Sequence, residues 1–148
     1  MEKLDFEFDM ERTERELLRG QNGLQSASVR LWEAIEDWPG LVQNYYSKVA
    51  TIDISRDSEK LTGTVLGKSF SLAFGVVSEA GTGHVEVILW VPTLLSNEKV
   101  ELGRFLVTPY GDVLTKEKEQ LLGRQDEFLS YKLLTSILRK VAATPAPF

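Results

Sequence analysis

The chain contains no cysteine, which excludes structural disulfides, thiolate catalysis and every zinc site that needs a sulfur ligand. It has one histidine, His84, so neither a multi-histidine metal centre nor a His–His acid–base pair can be built from it. No apolar run approaches the ~20 residues that a membrane-spanning helix requires. The start, Met1-Glu2-Lys3-Leu4-Asp5-Phe6-Glu7, also lacks the basic opening and apolar stretch of a secretory signal. Positive charge is in deficit: 17 Lys and Arg against 22 Asp and Glu leave a net charge of −5, which argues against nonspecific binding to duplex nucleic acid. These absences together point to a reducing compartment, and the cytoplasm is the expected location.

What is present has the balance of an ordinary globular domain, with 43% hydrophobic and 26% charged residues in 148. The expected layout is one domain over residues 1–143 and a short tail over 144–148, where Pro145 and Pro147 stop the last helix. The clearest local signal is alternation. Phe70, Leu72, Phe74 and Val76 recur at period two, Val85, Val87, Leu89 and Val91 repeat the pattern, and the glycine-bearing stretch Ser78–Gly83 joins the runs as a hairpin loop. Five strands are predicted, at about 49–55, 60–66, 69–77, 84–91 and 100–107, with boundaries good to about 2–4 residues. The turn sequence Thr108-Pro109-Tyr110-Gly111 leads into a short strand at Val113-Leu114.

Around this meander the pattern is helical. Leu4, Phe6, Phe8 and Met10 alternate with acidic residues as a short N-terminal strand, and Thr13-Glu14-Arg15-Glu16 has capping-box spacing for a charged helix that Gly20 and Gly23 end. Ser28 caps a further helix through Val29, Leu31, Trp32 and Ile35 that stops near Trp38, because Pro39 restricts the residue before it. Leu41, Val42, Tyr45 and Tyr46 form another helical piece. Thr115 caps a long last helix whose stripe is Leu122, Leu129, Leu133, Ile137 and Val141, widened by Phe128, Leu134 and Leu138. The fold class is therefore α+β: N-terminal helices, an antiparallel meander of about five strands, and a long C-terminal helix packed on the sheet.

Four constellations resemble functional sites and fail on their own terms. Gly63-Thr64-Val65-Leu66-Gly67-Lys68-Ser69 has a phosphate-loop ending, but Thr62 stands where the motif needs its first glycine, and a strand follows instead of a helix. His84 and Glu86 repeat the His-x-Glu pair of zinc deaminases without the cysteine ligands, so they read as a polar sheet surface. Asp5, Glu7 and Asp9 on one strand face would lie ~7 Å apart, too far to grip one ion without help. Arg12, Arg15 and Arg19 are neighbours on a helix, but Glu11, Glu14 and Glu16 offset them. No catalytic residue, metal or cofactor is expected.

The sheet's second face is different. Ile88 and Trp90 point opposite to Val87 and Leu89, and Phe105 is expected to continue their patch on the neighbouring strand. Large apolar patches are rarely left bare on monomers, so the N-terminal helices, a second copy, a protein partner or an apolar ligand should cover Ile88, Trp90 and Phe105. Trp32, Trp38, Tyr45 and Tyr46 suit a core or an interface equally. The element order, helices before a curved antiparallel sheet and a long helix after it, resembles that of helix-grip ligand-binding folds. That resemblance implies a cavity for an apolar small molecule between the sheet and the last helix. The leading expectation is a small protein-binding module: an inhibitor, adaptor or chaperone-like protein, or a homodimer, without enzymatic activity. An enzyme with an acidic site of scattered Asp, Glu, Lys or Tyr is the third reading, since such sites leave no motif.

Overall fold

The computed structural model describes residues 1–55, 60–96 and 98–148. A 3₁₀ turn at Lys3–Phe6 precedes helix α1 (Met10–Glu36), the single turn α2 (Trp38–Leu41) and a π-helical turn (Val42–Tyr46). Seven strands follow: β1 (Ala50–Ser55), β2 (Lys60–Val65), β3 (Lys68–Glu79), β4 (Thr82–Pro92), β5 (Lys99–Val107), β6 (Val113–Leu114) and β7 (Gln120–Leu122). Helix α3 (Leu129–Ala142) closes the fold. The strands pair antiparallel in chain order into one curled sheet, so the architecture is α+β with a helix before and after the meander. Among the described residues the strand count is seven rather than five.

Alternation marks the long strands because the inner face carries most of the large apolar side chains. Val87 lies opposite Phe74 and Leu89 opposite Leu72, and all four share an inner face with Leu61, Phe70 and Val85. Both helices pack on that face, where Leu61 and Val87 are fully buried. Two hairpins close through two-residue turns, the first as tight as expected and the second tighter: Leu66-Gly67 has φ of 52° and 79°, and Ala80-Gly81 has 51° and 82°. Positive φ at both central residues is the two-residue turn whose twist matches a right-twisted ribbon. The predicted loop Ser78–Gly83 thus shrinks to two residues, and β3 and β4 extend into it.

The N-terminal prediction is overturned most. There is no strand at Leu4–Met10. Asp5 accepts a hydrogen bond from the Glu2 backbone N–H at 2.6 Å, and Asp9 accepts from the Arg12 N–H at 2.9 Å, capping α1. The 27-residue α1 runs unbroken through Gly20 and Gly23, where two helices were expected. Glycine inside a helix costs about 0.5–1 kcal/mol against alanine, so an offsetting contact is required. Here it is proximity: a Cβ on Gly20 would overlap the Ser78 hydroxyl, and one on Gly83 would overlap the Gly20 carbonyl and crowd the Leu24 N–H. Those glycines seat the helix directly on the β3–β4 ribbon, and Ala27, Leu31 and Ile35 bury the stripe beyond them. The end near Trp38 is as expected, with Asp37 closing α1.

The last helix is shorter than its predicted pattern. Thr115, read as its cap, instead accepts from the Glu119 N–H at 3.0 Å inside the β6–β7 turn, and Leu122 lies in β7. The long stripe had merged a hairpin with a helix. Leu133, Leu134, Ile137, Leu138 and Val141 are all buried by α3, as the apolar spacing required. Its C-terminal carbonyls are satisfied from the sheet: Lys68 Nζ donates to the Ala142 and Thr144 oxygens at 2.7 and 2.9 Å. The tail turns back, with Ala146 buried and Phe148 beside Gly67.

Candidate functional site

The strand register divides the predicted patch. Ile88 and Trp90 are half-buried on the outer face, away from both helices. Phe105 lies directly opposite Val87 and therefore on the inner, helix-bearing face, packed against the core. The N-terminal helices do not cover Ile88 and Trp90, because α1 sits over Gly83 and places Trp32 against Phe74, their ring centroids 5.4 Å apart, on the inner face. A shallow depression of about 380 Å³ beside Trp90 is lined by Thr51, Asp53, Thr62, Ser71 and Lys99.

A bulge explains the charges around this patch. Leu89 pairs with Gly103 but Trp90 with Glu101, so Leu102 is an extra residue in β5. Residues three apart in a regular strand face opposite sides; the insertion puts both Glu101 and Arg104 on the outer face. Arg104 donates from Nε to Glu101 at 2.8 Å and from a terminal nitrogen to its other oxygen, and donates to Glu86 at 3.0 Å. The hydrogen bonds from Arg104 hold the Glu101 carboxyl below the usual range. Ile88 and Trp90 therefore lie beside a fixed cluster of one guanidinium and two carboxylates.

On the inner face the second apolar opening lies between α3 and the sheet margin. Leu89, Phe105, Leu121, Leu122, Leu133 and Ile137 line a groove of about 320 Å³. At its rim the Lys140 stem crosses Gly103, where a Cβ would come 3.4 Å from Lys140 Cε. The Lys140 ammonium has no hydrogen-bond or ion-pair partner among the described residues. Because Lys68 already satisfies the end of α3, Lys140 leaves positive charge at the rim of the groove.

The third feature is the N-terminus. Leu4, Phe6, Phe8 and Met10 are 73%, 66%, 60% and 78% exposed, and Leu17 and Leu18 are 63% and 62% exposed. Met10, Leu17, Leu24 and Leu31 recur every seven residues, so the stripe that is buried at Leu31 continues into the part of α1 that overhangs the sheet. Residues 1–11 hold Glu2, Asp5, Glu7, Asp9 and Glu11 against Lys3. Period-two spacing concealed this arm by imitating a strand.

The motif-like residues take structural positions. Gly63 lies in β2 and Lys68 starts β3, with no helix following. His84 is buried, and burial, then the Lys118 charge, push its pKa below the ordinary 6.5. Tyr46, by contrast, titrates above its ordinary value, chiefly through burial, with Tyr131 at 3.0 Å and Thr135 at 2.7 Å. A tyrosine shifted upward is a poor base or nucleophile near neutrality. Trp32 and Trp38 belong to the core, and Tyr45 is exposed. Among the described residues no three His, Asp or Glu side chains converge on a metal-sized site, and no helix is long and apolar enough to cross a membrane.

His84 makes a pH prediction. A histidine with a lowered folded pKa binds fewer protons folded than unfolded, so its stabilisation is complete above pH 6.5 and is lost as pH falls through the folded value. Thermal midpoints are expected to drop from pH 6.5 towards about 5, above the range where carboxylates titrate. His84→Gln should flatten that slope; an unaltered slope would place the titration elsewhere.

Comparison with known proteins yields no match: no family model fits the chain, and no curated protein or solved structure is similar to it.

Proposed function

We propose that this chain is a protein-binding module that docks through its N-terminal arm and the overhanging turns of α1. One observation carries the reading: the apolar stripe of α1 that is buried over the sheet continues, bare, through Leu17 and Met10 into Phe8, Phe6 and Leu4. Exposed apolar surface of this extent on one segment marks an interaction site. Phe6 and Phe8 are the natural anchors, since aromatic side chains concentrate interface energy. The carboxylates between them favour a partner surface that is apolar and basic.

A photoreactive phenylalanine analogue placed at position 8 tests this in the native cell. Protein adducts are expected there and at position 17, with none at Arg15, which is exposed on the opposite side of α1. An absence of adducts at positions 8 and 17 would sink the reading.

The groove favours a second reading. Its apolar walls and unpartnered Lys140 suit an acid with an apolar body, and about 320 Å³ is at the small end of ligand pockets. Titration with decanoate and decanol separates this reading from the first: saturable binding of the acid, weakened by Lys140→Glu, would support it.

A further inference from the structure

The two bare features of this chain complement each other. The groove between α3 and the β5–β7 margin offers apolar walls with one free cation, Lys140, at the rim, and the arm offers aromatics interleaved with carboxylates. We infer that the N-terminal arm of one copy seats Phe6 and Phe8 in the groove of a second copy, with Glu7 beside Lys140, and that the exchange is reciprocal. This rests on the protein-binding reading and names its partner.

Reach, area and charge support the pairing. Phe6 and Phe8 stand up to about 14 and 7 Å beyond the start of α1, whose first turns already overhang the sheet, so the anchors project clear of their own body. Phe6 and Phe8 are already about a third buried, so two arms and two grooves bury about 650–900 Å², the size of a weak, concentration-dependent dimer. Reciprocal exchange is a closed twofold arrangement in which each copy gives one arm and receives one, so it does not propagate into a fibre. The opposite signs of arm and groove also bring unlike surfaces together, although the chain as a whole, at −5, repels its copies.

The groove wall offers a position that can be altered without opening the core: Leu121 is 55% exposed. Sedimentation of the full chain is expected to show a monomer–dimer equilibrium. Phe6→Ser with Phe8→Ser should weaken it at least about thirtyfold, the loss expected of an interface anchor. Leu121→Asp should do the same while the thermal midpoint stays near that of wild type. The decisive sample mixes the two variants. One retains a groove and the other an arm, so a one-armed heterodimer should appear where each alone is monomeric. A mixture that stays monomeric overturns the proposal, as does a dimer that survives Leu121→Asp. A wild type that is monomeric at its highest soluble concentration overturns it too, including the case in which decanoate fills the groove instead. If the analogue at position 8 then captures a different protein, the protein-binding reading stands and only the second copy falls.

Discussion

Trp38→Ala is expected to destabilise the fold by about 3–5 kcal/mol, the cost of emptying a large buried aromatic site. Trp38 is fully buried at the point where α1 ends and α2 turns the chain towards β1. Its indole N–H donates to the Ser130 carbonyl at 3.2 Å, while the Ser130 hydroxyl donates to the Ala34 carbonyl at 2.6 Å. One side chain thus joins the end of the first helix to the start of the last, two elements about ninety residues apart in sequence. Domain stabilities are about 5–15 kcal/mol, so this loss removes a large share of the total. Denaturant unfolding reads it as a lower midpoint at constant slope. Trp38→Phe separates packing from the hydrogen bond, because it keeps an aromatic ring and forfeits about 1 kcal/mol for the lost donor, plus the volume difference. Equal midpoints for wild type and Trp38→Ala would mean that the two helices are joined some other way.

The parts of the fold legible in the sequence are those where one physical demand acted alone. Phe70, Leu72 and Phe74 alternate because every second residue of β3 faces the helices, and the same demand produced Val85 to Val91 in β4. Where two demands overlapped, the pattern misled. Gly20 and Gly23 carry the composition of a helix end, yet they are where α1 crosses Ser78 and Gly83, and nothing local distinguishes a breaker from a contact glycine. Thr115 has the hydroxyl of a helix cap and uses it on a backbone N–H four residues on, but in a strand turn; Thr108 does the same for Asp112. Asp9 was the available signal for the true start of α1, since it is an N-cap residue type standing before Met10-Glu11-Arg12 and the Glu-, Leu- and Arg-rich stretch Glu14–Arg19.

Legibility of the candidate site follows the same logic. Ile88 and Trp90 share a face by strand parity, and the structure keeps them together. Phe105 was misplaced because parity does not cross from one strand to the next without the register, which the Leu102 bulge also shifts further along β5. The groove left no sequence signal at all. It arises from the gap between α3 and two strands of two and three residues, and from a glycine at 103 that lets Lys140 lie across the sheet.

The last helix provides the second large effect, and with it a test of the groove's shape. Leu134 is fully buried beneath α3, so Leu134→Ala is expected to cost about 2–5 kcal/mol through lost burial and the cavity left behind. Leu133, one residue away, is also buried but forms a wall of the open groove. Truncating it enlarges an existing opening, where water and neighbouring side chains relax into the space, so Leu133→Ala should fall near the low end of that range, about 2 kcal/mol. Chemical denaturation of the two variants side by side measures the difference as a larger midpoint shift for Leu134→Ala at a shared slope. Equal shifts would mean that the groove is closed in solution and that α3 lies tighter on β5–β7. A closed groove leaves no seat for Phe6 and Phe8, so this stability measurement also bears on the arm exchange without any partner being present.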